Sequence, residues 1–152
     1  MHSVNDTFYT RMLEEWPYEP GKLSARVVQD SYGTSRLQVR VQLGILQMEL
    51  SGRPDGAPAV FESMLRADAA ALSLEQCRVL HQEAAMHAYR ALVCSSLELH
   101  EQVVTDASRN LEVMEFMVTH AIDDGPRRAA LGLCVQLQMM RVRARALSLI
   151  HI

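Results

Sequence analysis

SRLQVRVQLGILQMELSGRPDG, residues Ser35 to Gly56, is the stretch whose reading decides the fold. Leu37, Val39, Val41 and Leu43 alternate with Arg36, Gln38, Arg40 and Gln42, the period of a strand with one buried and one wet face. After Gly44 the phase changes, and Leu46, Met48 and Leu50 carry the apolar face while Gln47 and Glu49 are polar. A strand up to Leu43 with a bulge or bend at Gly44 accounts for that shift. Gly52-Arg53-Pro54-Asp55-Gly56 is a turn cluster that closes the section. Upstream, Ser24 to Asp30 reads as a partner strand and Ser31-Tyr32-Gly33-Thr34 as the connecting turn, so a β-hairpin or small antiparallel sheet is expected.

The segment before the sheet predicts a short helix over residues 4 to 15, with Phe8, Met12 and Leu13 on one face and Asn5 or Asp6 as cap. Trp16-Pro17-Tyr18-Glu19-Pro20-Gly21 stops it, because proline bars helix and pushes its predecessor toward extended geometry. Phe8, Tyr9, Trp16, Tyr18 and Tyr32 all precede residue 33, which suggests an aromatic cluster over one sheet edge.

Beyond Pro58 the spacing turns helical and stays so. Val60, Met64, Leu65 and Leu72 predict a first helix over 58 to 71. Ser73 followed by Gln76 is a capping-box signature for a second, from Leu74 to about Leu97. Its stripe is Leu80, Ala84, Ala88, Ala91, Leu92 and Cys94. A break at Glu98 to His100 leads to a third helix over 101 to 121, apolar at Val103, Val104, Ala107, Leu111, Met114 and Val118. Asp123-Asp124-Gly125-Pro126 stops and restarts the chain. The fourth helix, over 126 to 146, is apolar at Ala130, Leu133, Cys134, Leu137, Met140 and Ala144. The fold class is therefore α+β: an N-terminal cap and hairpin over 1 to 56, and antiparallel helices over 57 to 146 packed on it as one domain. Leu147-Ser148-Leu149-Ile150-His151-Ile152 reads as the translation of a transposon-end adapter used in sequencing libraries, so residues 147 to 152 are expected to be a non-native tail on a truncated chain.

Composition narrows the function. A net charge of -3 over 152 residues, with no long like-charge block, dictates no partner. Cys77, Cys94 and Cys134 stand apart from one another, without a C-x-x-C pair, and read as small buried hydrophobes in a reducing, cytoplasmic compartment. No run of about 18 apolar residues is present, so no membrane association is expected. There is no phosphate loop, dinucleotide fingerprint, nucleophile elbow or H-E-x-x-H, so neither an enzyme nor a cofactor or metal is expected.

Two resemblances add to this. WPYEPG (Trp16 to Gly21), LQVRVQLGILQME (Leu37 to Glu49) and GRPDG (Gly52 to Gly56) resemble the N-terminal region of bacterial proteins labelled UvrB/UvrC-motif-containing. The likeness extends through FESML (Phe61 to Leu65) to MMRVRARA (Met139 to Ala146). The UVR motif that gives the family its label lies near its C-terminus and has no match here. The resemblance implies association with repair or stress complexes by analogy only. ELHEQVVTDASRNLEV (Glu98 to Val113) is similar to the turn and second helix of a tetratricopeptide repeat, with Ala91 at its small-residue position. Val103 departs from its alanine, and its aromatic positions are unmatched.

Among candidate sites, Glu83 and His87 share a helix face, but two groups do not make a metal site, and a solvated or hydrogen-bonded face is the expectation. Arg127, Arg128, Arg141, Arg143 and Arg145 all follow the last acid, Asp124. Within them Arg141 and Arg145 are the candidates for nucleic-acid contact, although the arginines spread around the helix. The favoured interaction surface is Arg40, Gln47, Glu49, Arg53 and Asp55, whose alternative role is to join sheet and helices. The leading expectation is a non-enzymatic scaffold or adaptor that binds another protein, and the alternative is a repair-associated nucleic-acid binder.

Overall fold

The computed structural model describes residues 4–67 and 70–150, with side chains from Thr7 onward. The chain divides into two compact units, Met1–Leu50 and Ser51–Ile152. The first holds helix α1 (Val4–Glu15) and strands β1 (Ser24–Gln29), β2 (Ser35–Val41) and β3 (Gly44–Glu49). The second holds α2 (Val60–Arg66), α3 (Leu74–Ser96), α4 (His100–His120) and α5 (Asp124–Ile150). The α+β class stands. The Gly52–Gly56 turn belongs with the helices, where the Arg53 guanidinium pairs with Glu83 at 3.2 Å.

The sheet is an antiparallel meander in the order β1-β2-β3. Its first hairpin is as expected: Gly33 has φ 81°. Asp30 Oδ1 accepts the N–H groups of Tyr32 and Thr34, each at 2.9 Å. The second hairpin corrects the reading of Gly44. Gln42 and Leu43 form the turn and Val41 pairs with Gly44, so Leu43 sits exposed at the tip and not on the buried face. The change of phase has a simple cause. Across this turn Leu37 pairs with Met48 and Val39 with Leu46, so odd-numbered residues of β2 share a face with even-numbered residues of β3. A reversal of direction, not a bulge, shifted the parity.

The polar face carries a row of cross-strand partners. Arg26 Nε donates to Gln38 Oε1 at 2.9 Å, and Gln38 Nε2 donates to Gln47 Oε1 at 3.0 Å. Trp16 lies under the Arg26 guanidinium, 4.2 Å from it. Of the other early aromatics, Tyr9 brings its hydroxyl against Gly44 of the second hairpin. Tyr32 projects from the hairpin tip and Phe8 from α1, both exposed, while Met12 and Leu13 are half-buried. The expected cap at Asn5 or Asp6 lies outside the described side chains.

In the helical unit α2 is shorter than expected, and Phe61 is its buried residue. Leu72 is not helical. It forms a parallel bridge with Ala121, its N–H bonding to the His120 carbonyl at 2.8 Å and its carbonyl accepting from Ile122 at 3.1 Å. The capping box at Ser73 and Gln76 is formed in both directions. At the other end of α3 the Leu99 N–H bonds to the Cys94 carbonyl and the Glu98 N–H to the Ser95 carbonyl. This is the bond pattern of a Schellman cap, with Glu98 at φ 58° in the position glycine usually takes. The α3–α4 hairpin is thus present where the tetratricopeptide likeness was noted. Its helices of 23 and 21 residues exceed the roughly 34-residue unit of that repeat.

Leu80, Ala84, Leu111, Met114, Met117 and Leu137 lie in one buried cluster contributed by α3, α4 and α5. Each fully buried Leu or Met contributes roughly 1.5–3 kcal/mol. Leu92, expected on the buried stripe, is exposed, because α3 turns that side away from α4. Helix α5 runs beyond the expected end, through Leu147 to Ile150, while His151 and Ile152 lie outside the described residues. No helix among the described residues is long and apolar enough to cross a membrane.

Candidate functional site

Of the five residues expected to form one surface, Arg40, Gln47 and Glu49 belong to the first unit and Arg53 and Asp55 to the second. Arg40 is buried and turned inward: Nε donates to the Trp16 carbonyl at 2.6 Å, and Nη1 donates to the carbonyls of Val41 (2.5 Å) and Gly44 (3.0 Å). It ties the second hairpin to the segment after α1. Gln47 bonds to Gln38, and Glu49 accepts from Arg36 Nε at 3.0 Å. Arg53 and Asp55 belong to the other unit, where Arg53 Nη2 donates to Asp55 at 3.0 Å. Asp55 also accepts the Ala57 N–H at 3.0 Å, fixing the turn. All five are engaged in holding local structure.

What the sequence reading missed is a set of charged residues buried between α2, α3 and α4. Glu83 is 1 % exposed and accepts the N–H groups of Val60 (2.7 Å) and Phe61 (3.2 Å). It therefore supplies the anion at the N-terminus of α2, where the Ala59 side chain offers no cap. Arg53 and Arg109 both reach Glu83, and Arg109 also pairs with Glu62 at 3.1 Å. Burial is the largest influence on Glu83 and pushes its carboxyl up. The Val60 N–H, the Arg109 guanidinium and the Phe61 N–H together outweigh it, so the group titrates below its ordinary 4.5.

Two turns along α3, Arg90 grips Asp106 of α4 through two bonds, Nε to Oδ2 at 2.9 Å and Nη2 to Oδ1 at 2.6 Å. His87 Nδ1 lies 3.0 Å from the same carboxylate. Burial again pushes Asp106 up, and the Arg90 and His87 hydrogen bonds bring it below 3.8. A histidine oriented by an aspartate could serve as a base, but both side chains are sealed in the α3–α4 interface, and the Arg90 pair accounts for the arrangement. Among the described residues no three His, Cys, Asp or Glu side chains are placed to share a metal. Burial holds the Cys94 thiol up at about 11 and raises Cys77 and Cys134, so none is poised as a thiolate.

These bonds lock α2, α3 and α4 together and leave α5 apart from α3. Helix α5 lies along α4 and touches α3 little. Between α3 and α5 runs a groove floored by α4. Its first part, about 230 Å³, is lined by His81, Ala84, Ala85 and Ala88 of α3, Asn110 and Met114 of α4, and Leu133, Gln136, Leu137 and Met140 of α5. The second, about 380 Å³, is lined by Ala91, Leu92, Ser95, His100, Val103, Met139, Met140, Arg143, Ala144 and Leu147. Met140 borders both, so the two parts adjoin along α5. From His81 to Ser95 the α3 wall spans roughly 21 Å at about 1.5 Å per residue. The groove exists because Ala84, Ala88 and Ala91 are too short to fill the space. Asn110 donates to the Ala84 carbonyl at 2.8 Å, holding the floor to that wall.

No acid lines either part, and Arg143 with two histidines supplies the ionisable groups. Of the nucleic-acid candidates, Arg141 and Arg145 are one turn apart on the opposite flank of α5 from Arg143. Arg145 borders a shallow hollow with Glu101, Val104, Thr105, Ser148 and Leu149. Alanines at helical spacing in α3 were the only signal of the groove in the sequence, and they read there as ordinary core. Comparison with family models, with curated proteins and with solved structures finds no match.

Proposed function

We propose that this chain is a non-enzymatic protein-interaction module whose α3–α5 groove receives an apolar helical segment of another protein. The observation that carries the reading is the acid-free groove itself, roughly 21 Å long and walled by two helices. That length matches about four turns of helix, and helix-in-groove docking through anchors at i, i+3, i+4 and i+7 is a common mode of recognition. Arg143 near one end favours a segment with a carboxylate at the matching end. The free, well-separated cysteines favour a cytoplasmic setting. The resemblance to UvrB/UvrC-motif-containing proteins would place the module in repair or stress assemblies.

The test is a photo-crosslinking amino acid at Ala88 in the groove wall, with identification of the captured segment and its synthesis as a peptide. The reading requires that the peptide bind the native chain and lose at least tenfold in affinity for Ala88→Arg. Binding unchanged by Ala88→Arg, or crosslinks to nucleic acid alone, would overturn it.

A further inference from the structure

Helix α5 is apolar on a second side that the groove does not use. Leu131, Val135, Val142 and Leu149 recur at helical spacing and are each between 59 % and 72 % exposed, and Met139 lies at the boundary between this side and the groove it also lines. The buried residues of α5, Ala130, Leu137 and Ala144, lie on a different face. A helix apolar on opposed sides is built to be covered on both.

Charge decides what covers the outer side. Arg141 and Arg145 lie on one edge of the stripe, Arg143 on the other edge beside the groove, Arg128 stands in line with the stripe, and no acid follows Asp124. Arg128 and Arg145 take part in no ion pair among the described residues. A second copy fits poorly. The stripe from Leu131 to Leu149 has its midpoint at Met140, and in an antiparallel pair like edges meet, so Arg141 of one copy would face Arg141 of the other. In a parallel pair the Arg141/Arg145 edge would face the Arg143 edge of the partner. Both arrangements set arginine against arginine. We propose instead that the outer face of α5 docks an amphipathic helix of another protein, apolar on its contact side and acidic along its flanks. This rests on the exposed stripe and its arginines, and not on what occupies the groove.

The experiment uses the full chain and two fluorescein-labelled 21-residue helical peptides with the same leucine stripe, one flanked by glutamates and one by lysines. The acidic peptide is expected to bind at least tenfold more tightly than the basic one and to weaken severalfold between about 50 and 300 mM salt. Val135→Glu with Val142→Glu, at exposed positions that leave circular dichroism unchanged, should abolish that binding, whereas Ala88→Arg should not. Equal binding of the two peptides would overturn the proposal, as would indifference to the paired substitutions or loss on Ala88→Arg. So would sedimentation of the native chain as a dimer that Val135→Glu dissociates, or its adsorption through the same residues to vesicles containing phosphatidylglycerol.

Discussion

The Glu83 carboxylate of α3 accepts the backbone N–H of Val60 at 2.7 Å, across 23 residues of chain, and so caps a helix to which it does not belong. Because Arg53 and Arg109 converge on the same group, Glu83→Gln should leave Arg53 with Asp55 alone and Arg109 with Glu62 alone. A loss of about 2 kcal/mol is expected, read as a lowered urea midpoint, since buried hydrogen bonds to a charged group are worth roughly 1.5–3 kcal/mol. A loss below about 0.5 kcal/mol would show that the contacts are idle.

The same group sets an acid limit. Its folded pKa lies below the ordinary 4.5, so its contribution is fully present above that value and disappears as pH falls through the folded pKa. Asp106 behaves alike relative to 3.8. Stability of the native chain should fall with acid below pH 4.5, with a shallower slope in Glu83→Gln. Identical slopes in urea titrations across that range would contradict the assignment.

Glu98 occupies the left-handed cap of α3 at φ 58°. Glu98→Gly should relieve roughly 1–2 kcal/mol of strain and give back somewhat less than 1 kcal/mol in unfolded-chain freedom, a net gain of about 0.5–1 kcal/mol. An unchanged or lower denaturation midpoint, at constant m-value, is the contrary result.

Arg40 donates to three backbone carbonyls while buried. Arg40→Met should cost about 2–3 kcal/mol and raise hydrogen exchange at the Val41–Gly44 turn, because each carbonyl loses a charged donor. Exchange unchanged at that turn would count against the role given to this arginine.

How far the sequence could be read depended on the range of the physics involved. Alternation, turn residues and the Ser73/Gln76 capping box are local, and they placed α1, β1, the first hairpin, α3, α4 and most of α5. Gly44 was misread because the same parity shift follows from a bulge or from a two-residue reversal, and only the pairing of Val41 with Gly44 separates them. Glu83, Arg90, Asp106 and Arg109 escaped notice as buried groups because their partners lie 16 to 30 residues away. The groove was hidden for a related reason. Ala84, Ala88 and Ala91 look like core until α5 is seen to pack on α4.

The central claim concerns that groove, and methionine methyl groups report on it directly. Met114, Met139 and Met140 line it, while Met12 and Met48 belong to the sheet unit. Methyl NMR of the chain, titrated with the segment captured through position 88, should move the signals of Met114, Met139 and Met140 and leave Met12 and Met48 in place. Movement confined to Met12 and Met48 would contradict the account.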